Sequence, residues 1–102
     1  MKRPYIVERI AEAAKEKLPG AKVWLYGSEA RGDARENSDI DLLVLFDIDR
    51  LSILDRLSVS RAFFDIEMET GVEINAYVET LSGWNSARTT FRENVTKERI
   101  AV

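Results

Sequence analysis

Apolar residues along the first stretch recur at helical spacing. Val7, Ile10, Ala14 and Leu18 form one stripe, with Glu8, Glu12, Lys15 and Glu16 elsewhere, which predicts a helix over residues 4–18. Pro4 suits its first turn, and Pro19-Gly20 stops it. Residues 22–26, Lys-Val-Trp-Leu-Tyr, then read as a strand. Gly27-Ser28 ends it, and residues 28–34 are expected to make a short helix with Ser28 as N-cap. A polar loop spans 32–38. Residues 39–46 are the second strand, and the run Leu42 to Phe46 is apolar on both faces, the mark of a buried central strand. A charged turn over 47–50 leads to a helix over 51–70, with Ile53, Leu57, Phe64 and Met68 as its expected core stripe and Gly71 as its C-cap. Residues 72–78 alternate: Val72, Ile74, Ala76 and Val78 on one side, Glu73, Asn75 and Tyr77 on the other. After a turn at 81–83, residues 84–98 are expected to be helical, with Trp84, Phe91 and Val95 as contacts. The order helix, strand, short helix, strand, helix, strand, helix predicts an α/β (α+β) fold with a small mixed sheet flanked by helices.

Composition narrows the chemistry. A chain of 102 residues predicts one domain over 1–102. A domain of this size buries only about two-thirds of its unfolded surface, so a partner protein or a second copy of the chain is expected on part of it. Cysteine and histidine are both absent, which excludes disulfides, thiolate metal sites, imidazole bases and Ser-His triads. Catalysis must rest on carboxylates, hydroxyls, amines, backbone and bound metal. No apolar run reaches the ~20 residues of a membrane span, and the basic start Met1-Lys2-Arg3 is followed by a charged segment, unlike a signal peptide. A cytoplasmic protein without a membrane association is the expectation. Residues 39–80 hold ten acids against three bases, an acidic centre that needs cations. The pI near 5.0 argues against non-specific nucleic-acid binding.

Within that acidic centre, Asp39 and Asp41 stand at i, i+2 at the mouth of the second strand and so share one face. Two solvent-facing acids are the plain alternative. An unpaired charge beside Leu42 and Leu43 is costly, however, and a divalent cation with a taste for hard oxygen, such as magnesium, relieves it. Ten residues upstream, Gly27-Ser28 sits at a strand-to-helix junction where backbone N–H groups can meet an anion. Glu73 lies on the polar face of the third strand and could join the aspartates if the two strands are neighbours; otherwise it is an ordinary strand acid. Arg31 could reach a phosphate or a partner, whereas Arg35 reads as solvated. Trp24, Tyr26, Trp84 and Phe91 are assigned to the core.

Gly27-Ser28-Glu29-Ala30-Arg31-Gly32 followed by Ser38-Asp39-Ile40-Asp41-Leu42 resembles the signature of the minimal nucleotidyltransferases (MNT) of the DNA polymerase beta superfamily, over residues 5–78. The resemblance implies that superfamily's palm-like fold. It implies that Gly27 and Ser28, with Arg31 nearby, hold a nucleoside triphosphate, ATP or another. Asp39 and Asp41 would ligate two magnesium ions, with Glu73 as third carboxylate and general base, where aspartate is the commoner residue. Asn75 is a further polar candidate outside the motif. The resemblance also implies a HEPN-type helical partner, the chain acting as an antitoxin that transfers AMP to a hydroxyl of that toxin. The alternative is a catalytically silent binding module that neutralises its partner by docking.

Overall fold

A computed structural model describes residues 3–102; Met1 and Lys2, part of the basic start, lie outside the described residues. The elements are α1 (Pro4–Lys17), β1 (Ala21–Tyr26), α2 (Gly27–Arg31), β2 (Ile40–Phe46), α3 (Ile53–Thr70), β3 (Ile74–Thr80), α4 (Leu81–Ser86), α5 (Thr90–Glu98) and β4 (Ile100–Ala101). The strands form one mixed sheet in the order β3-β2-β1-β4. β1 runs antiparallel to both of its neighbours, and β2 and β3, joined through α3, are parallel. The expected fold class is therefore observed.

The uniformly apolar β2 does what its pattern demands. Leu42 and Val44 enter the larger core, which α1 supplies with Ile6, Ile10 and Ala14 and α3 with Val59, Ala62, Phe63 and Ile66. Leu43 and Leu45 face the other way, under Trp84 of α4 and Val95 of α5. Helices on both faces leave no side of β2 in water, so polar alternation there would cost buried polar groups.

Several boundaries differ from expectation, each for a local reason. The helix after β1 runs Gly27–Arg31 rather than 28–34. Its N-cap is Tyr26, with no side-chain cap, so Ser28 lies inside the helix and does not cap it. Gly32, at φ 83°, turns left-handed and ends it early. Helix α3 starts at Ile53 because Ser52 and Asp55 form a capping box. Its core stripe is the opposite of the expected one: Ile53, Leu57, Phe64 and Met68 are exposed, Ile53 at 79% and Met68 at 68%. The helix carries two apolar stripes on opposite sides, and the one that includes the small Ala62 packs inward against α1. β3 begins at Ile74 instead of residue 72 and runs on to Thr80. The expected turn at 81–83 is the first turn of α4, capped by the Thr80 side chain, and the single helix over 84–98 is two helices, with α5 capped by Thr89.

Candidate active site

Three strand ends meet at one edge of the sheet. Tyr26, the last residue of β1, is paired with Asp41 of β2, and Asp41 with Asn75 of β3. The turn at Gly27 and the aspartate pair, far apart in sequence, thereby become neighbours. Gly27 adopts φ +73°, and a Cβ built there would come within 2.5 Å of Asp41 Oδ2. Glycine is required twice over: for the left-handed backbone, and because the Asp41 carboxylate rests against its Cα.

Asp39 is exposed at the mouth and Asp41 is half-buried behind it. The Asn75 amide nitrogen donates to Asp39 Oδ2 at 3.1 Å. Burial pushes the Asp41 carboxyl up from its ordinary value, and the Asp39 charge adds to this; the hydrogen bond from Asn75 and the Arg31 charge pull the other way. The net direction is upward: burial disfavours the charged form of Asp41, and a nearby cation would favour it. Magnesium, which keeps several waters and is commonly held by one or two carboxylates together with substrate phosphates, fits such a donor set. Tyr26 lies in the same field. Its phenol is raised first by burial and then by the charges of Asp41, Tyr77 and Glu98.

Among the described residues no group of three or more acids is gathered closely enough to hold a metal ion. Glu73 precedes β3 and is exposed; its backbone carbonyl accepts the Ile40 N–H at 2.9 Å, which places residue 73 at the rim beside Asp39. The polar side chain bonded to the aspartates is Asn75. Alternation puts it on the same face as Glu73; the register sets it opposite Asp41, and its hydrogen bond reaches Asp39.

Gly27 and Arg31 are joined by a residue that sequence reasoning missed. Glu98, the last residue of α5, accepts the Gly27 N–H at Oε1 (3.0 Å) and the Arg31 Nη1 at Oε2 (3.1 Å). Arg31 also meets Asp33 at 3.3 Å. No sequence signal marks Glu98, because the contact spans 71 positions. Also unforeseen is Glu29, fully buried and held by Arg3: Nε to Oε1 at 2.6 Å, and the Arg3 backbone N–H to Oε2 at 2.9 Å. Trp84 is buried as expected, but Phe91 is 40% exposed, edge-on to Tyr26 with ring centres 5.7 Å apart. Ser28 is half-buried beside Gly27, and its carbonyl accepts from Gly32 and Asp33 at the end of α2.

The nucleotidyltransferase domain family matches residues 7–102. The chain belongs to that family. It is 35% identical over 95 residues to a Methanocaldococcus jannaschii protein named "Putative protein adenylyltransferase MJ0604", covering 90% of this chain and 89% of that one. Among solved structures, one described as a "putative minimal nucleotidyltransferase" superposes with a TM-score of 0.68 at 28% identity, covering 100% of this chain and 97% of that one. A toxin–antitoxin structure with AMP-PNP matches at TM-score 0.65 and 21% identity, covering 92% and 69%. So does a tri-AMPylated Shewanella oneidensis HEPN toxin in complex with its MNT antitoxin, at 0.59 and 18%, covering 97% and 70%. At those lower identities the likeness is one of fold. This nucleotidyltransferase has, among its described residues, no helix long and apolar enough to cross a membrane.

Proposed function

We propose that this nucleotidyltransferase transfers the nucleoside monophosphate of a triphosphate, AMP from ATP, to a hydroxyl of a protein partner. The observation that carries the reading is the packing of the Asp41 carboxylate against Gly27: one turn and one acid pair form a single site. Gly27, Ser28 and Arg31 would hold the triphosphate. Asp39 and Asp41, oriented by Asn75, would hold two magnesium ions. When bound, the metal neutralises the triphosphate and polarises the reacting oxygens. The acceptor hydroxyl attacks the α-phosphorus, the bond to the β-phosphate oxygen breaks, and pyrophosphate leaves. In this proposal Glu73 takes the acceptor's proton from the rim, where an incoming hydroxyl would meet it.

Support for a protein acceptor comes from α3, whose outer stripe of Ile53, Leu57, Phe64 and Met68 is apolar and exposed. Solvent-facing stripes of this kind mark interaction surfaces. The occupant we propose is a HEPN-type helical toxin, the partner class named in the Shewanella oneidensis complex. The protein would act in the cytoplasm as the antitoxin of such a pair.

The test is incubation of the purified chain and a HEPN-type partner from the same genome with ATP labelled at the α-phosphate, with and without magnesium. Label on the partner only with magnesium is the expected result. Tight binding of the partner with no label under any condition would instead establish a silent docking module.

A further inference from the structure

Two of the three groups proposed to meet the triphosphate, Gly27 and Arg31, already hold an anion of the protein's own. Both oxygens of the Glu98 carboxylate are engaged, one by the Gly27 N–H and one by the Arg31 guanidinium. The Arg31 contact is exposed to solvent, so another anion can exchange for the carboxylate there. The same carboxylate stands in an acidic field, adding to the upward pressure on both Asp41 and Tyr26. Arg31 is thus shared between Glu98 and Asp33, while its charge also reaches Asp41.

The chain beyond Glu98 is lightly tied. β4 pairs with β1 through two residues, Ile100 and Ala101, both exposed. Beyond it the Val102 N–H donates to the Val23 carbonyl at 3.1 Å, and Arg99 lies 4.4 Å over the Trp24 ring. The body of α5 is anchored differently, through buried Val95 and through Phe91 against Tyr26, Tyr77 and Trp84. Its last residue can therefore leave the site while the helix stays seated.

We propose that Glu98 is a displaceable plug: it occupies the Gly27–Arg31 anion position in the nucleotide-free protein, and an incoming triphosphate expels it and loosens β4. The plug rests on the assignment of Gly27 and Arg31 to the triphosphate under Proposed function. It has two consequences. Apparent nucleotide affinity is lowered by the fraction of molecules whose plug is in place. Occupancy of the site is also reported at the sheet edge formed by β4, on the side away from β3.

The experiment measures AMP-PNP binding by calorimetry in magnesium buffer for the wild-type chain, Glu98→Ala, Glu98→Gln and Arg31→Ala. Amide exchange at Val102 is followed in parallel. With the plug in place about nine-tenths of the time, Glu98→Ala should bind about tenfold more tightly than wild type, with Glu98→Gln between them. In the wild-type protein, saturation with AMP-PNP should speed Val102 exchange severalfold, on the scale of a local opening. In Glu98→Ala, exchange should already be fast and change little. Arg31→Ala should bind more weakly. Unchanged or weaker binding by both Glu98 variants, while Arg31→Ala still loses affinity, would overturn the plug and leave the triphosphate assignment standing. Full affinity in Arg31→Ala would overturn the assignment itself. Should Glu98→Ala fail to fold, Glu98→Gln and the wild-type exchange rate decide, and no change at Val102 on saturation counts against the plug.

Discussion

Glu29 and Arg31 stand two positions apart on α2, about 200° around the helix, and each meets an oppositely charged partner. Behind the helix, Glu29 is fully buried and bonded to both the backbone and the guanidinium of Arg3, which also reaches the Glu36 carbonyl at 3.2 Å. In front, Arg31 is half exposed and shares Glu98 with the Gly27 N–H. The chemistry is the same in both pairs, but the surroundings are not. The rear pair excludes water, so neither partner can be lost without stranding a charge. The front pair is wet, where an ion pair adds little stability and can be exchanged for another anion. One five-residue helix is thereby nailed down on one side and left open on the other, which is what a turn that must present itself to a ligand requires.

That contrast can be broken most forcefully from behind. Glu29→Ala leaves Arg3 buried without its carboxylate and should cost about 3–5 kcal/mol of stability, read by chemical denaturation. A loss too small to resolve would mean that the rear pair is no anchor. Glu73→Gln tests the rim. It should leave AMP-PNP binding intact and lower transfer by about a hundredfold, the scale of a lost general base; undiminished turnover would remove Glu73 from the chemistry. Arg31→Ala, on the open side, should leave the melting temperature unchanged and weaken AMP-PNP binding about tenfold, as expected for a charged hydrogen-bond partner. A fall in melting temperature comparable to that of Glu29→Ala would erase the distinction between the two sides.

The smallest effect is also the most diagnostic of the site's charge. Asp41 has its carboxyl raised in the folded protein, so the native state favours the protonated form over the charged one. Stability tied to this group is full below the ordinary carboxylate range and is lost as pH rises through the raised folded value. Asp41→Asn removes that loss. Because the carboxylate is partly exposed and screened, the gain at pH 7 should be modest, about 1–2 °C in melting temperature, and should vanish below about pH 3.9. An Asp41→Asn variant less stable than wild type at pH 7 would show that the acid is already balanced without a cation.

Much of this was legible in the sequence, and the remainder was hidden for physical reasons. The pattern of β2 revealed a strand buried on both faces because a short apolar run, bounded by polar loops on either side, is too short for a buried helix. Gly27-Ser28 and Asp39-x-Asp41 were visible because a tight turn and a same-face acid pair are local facts. α3 was read inside out, since periodicity finds apolar stripes but cannot say which of two opposed ones packs. In the sequence Asn75 stands behind Glu73 as a candidate, because alternation puts both on one face and only the folded contact with Asp39 separates them. Arg3, Glu29 and Glu98 were invisible: their partners lie 26 to 71 positions away, and nothing local distinguishes a buried or site-facing acid from a solvated one.

The central claim is that Asp41, resting against Gly27, belongs to a site that moves a nucleotide. The measurement that reaches it most directly is transfer of the α-phosphate label from ATP to a HEPN-type partner, with wild type and Asp41→Asn compared at equal fold content by circular dichroism. We expect magnesium-dependent labelling by the wild type and a loss on the order of a thousandfold or more in the variant, in keeping with the several kcal/mol that such a metal clamp supplies. Equal labelling by a folded Asp41→Asn protein would contradict the account.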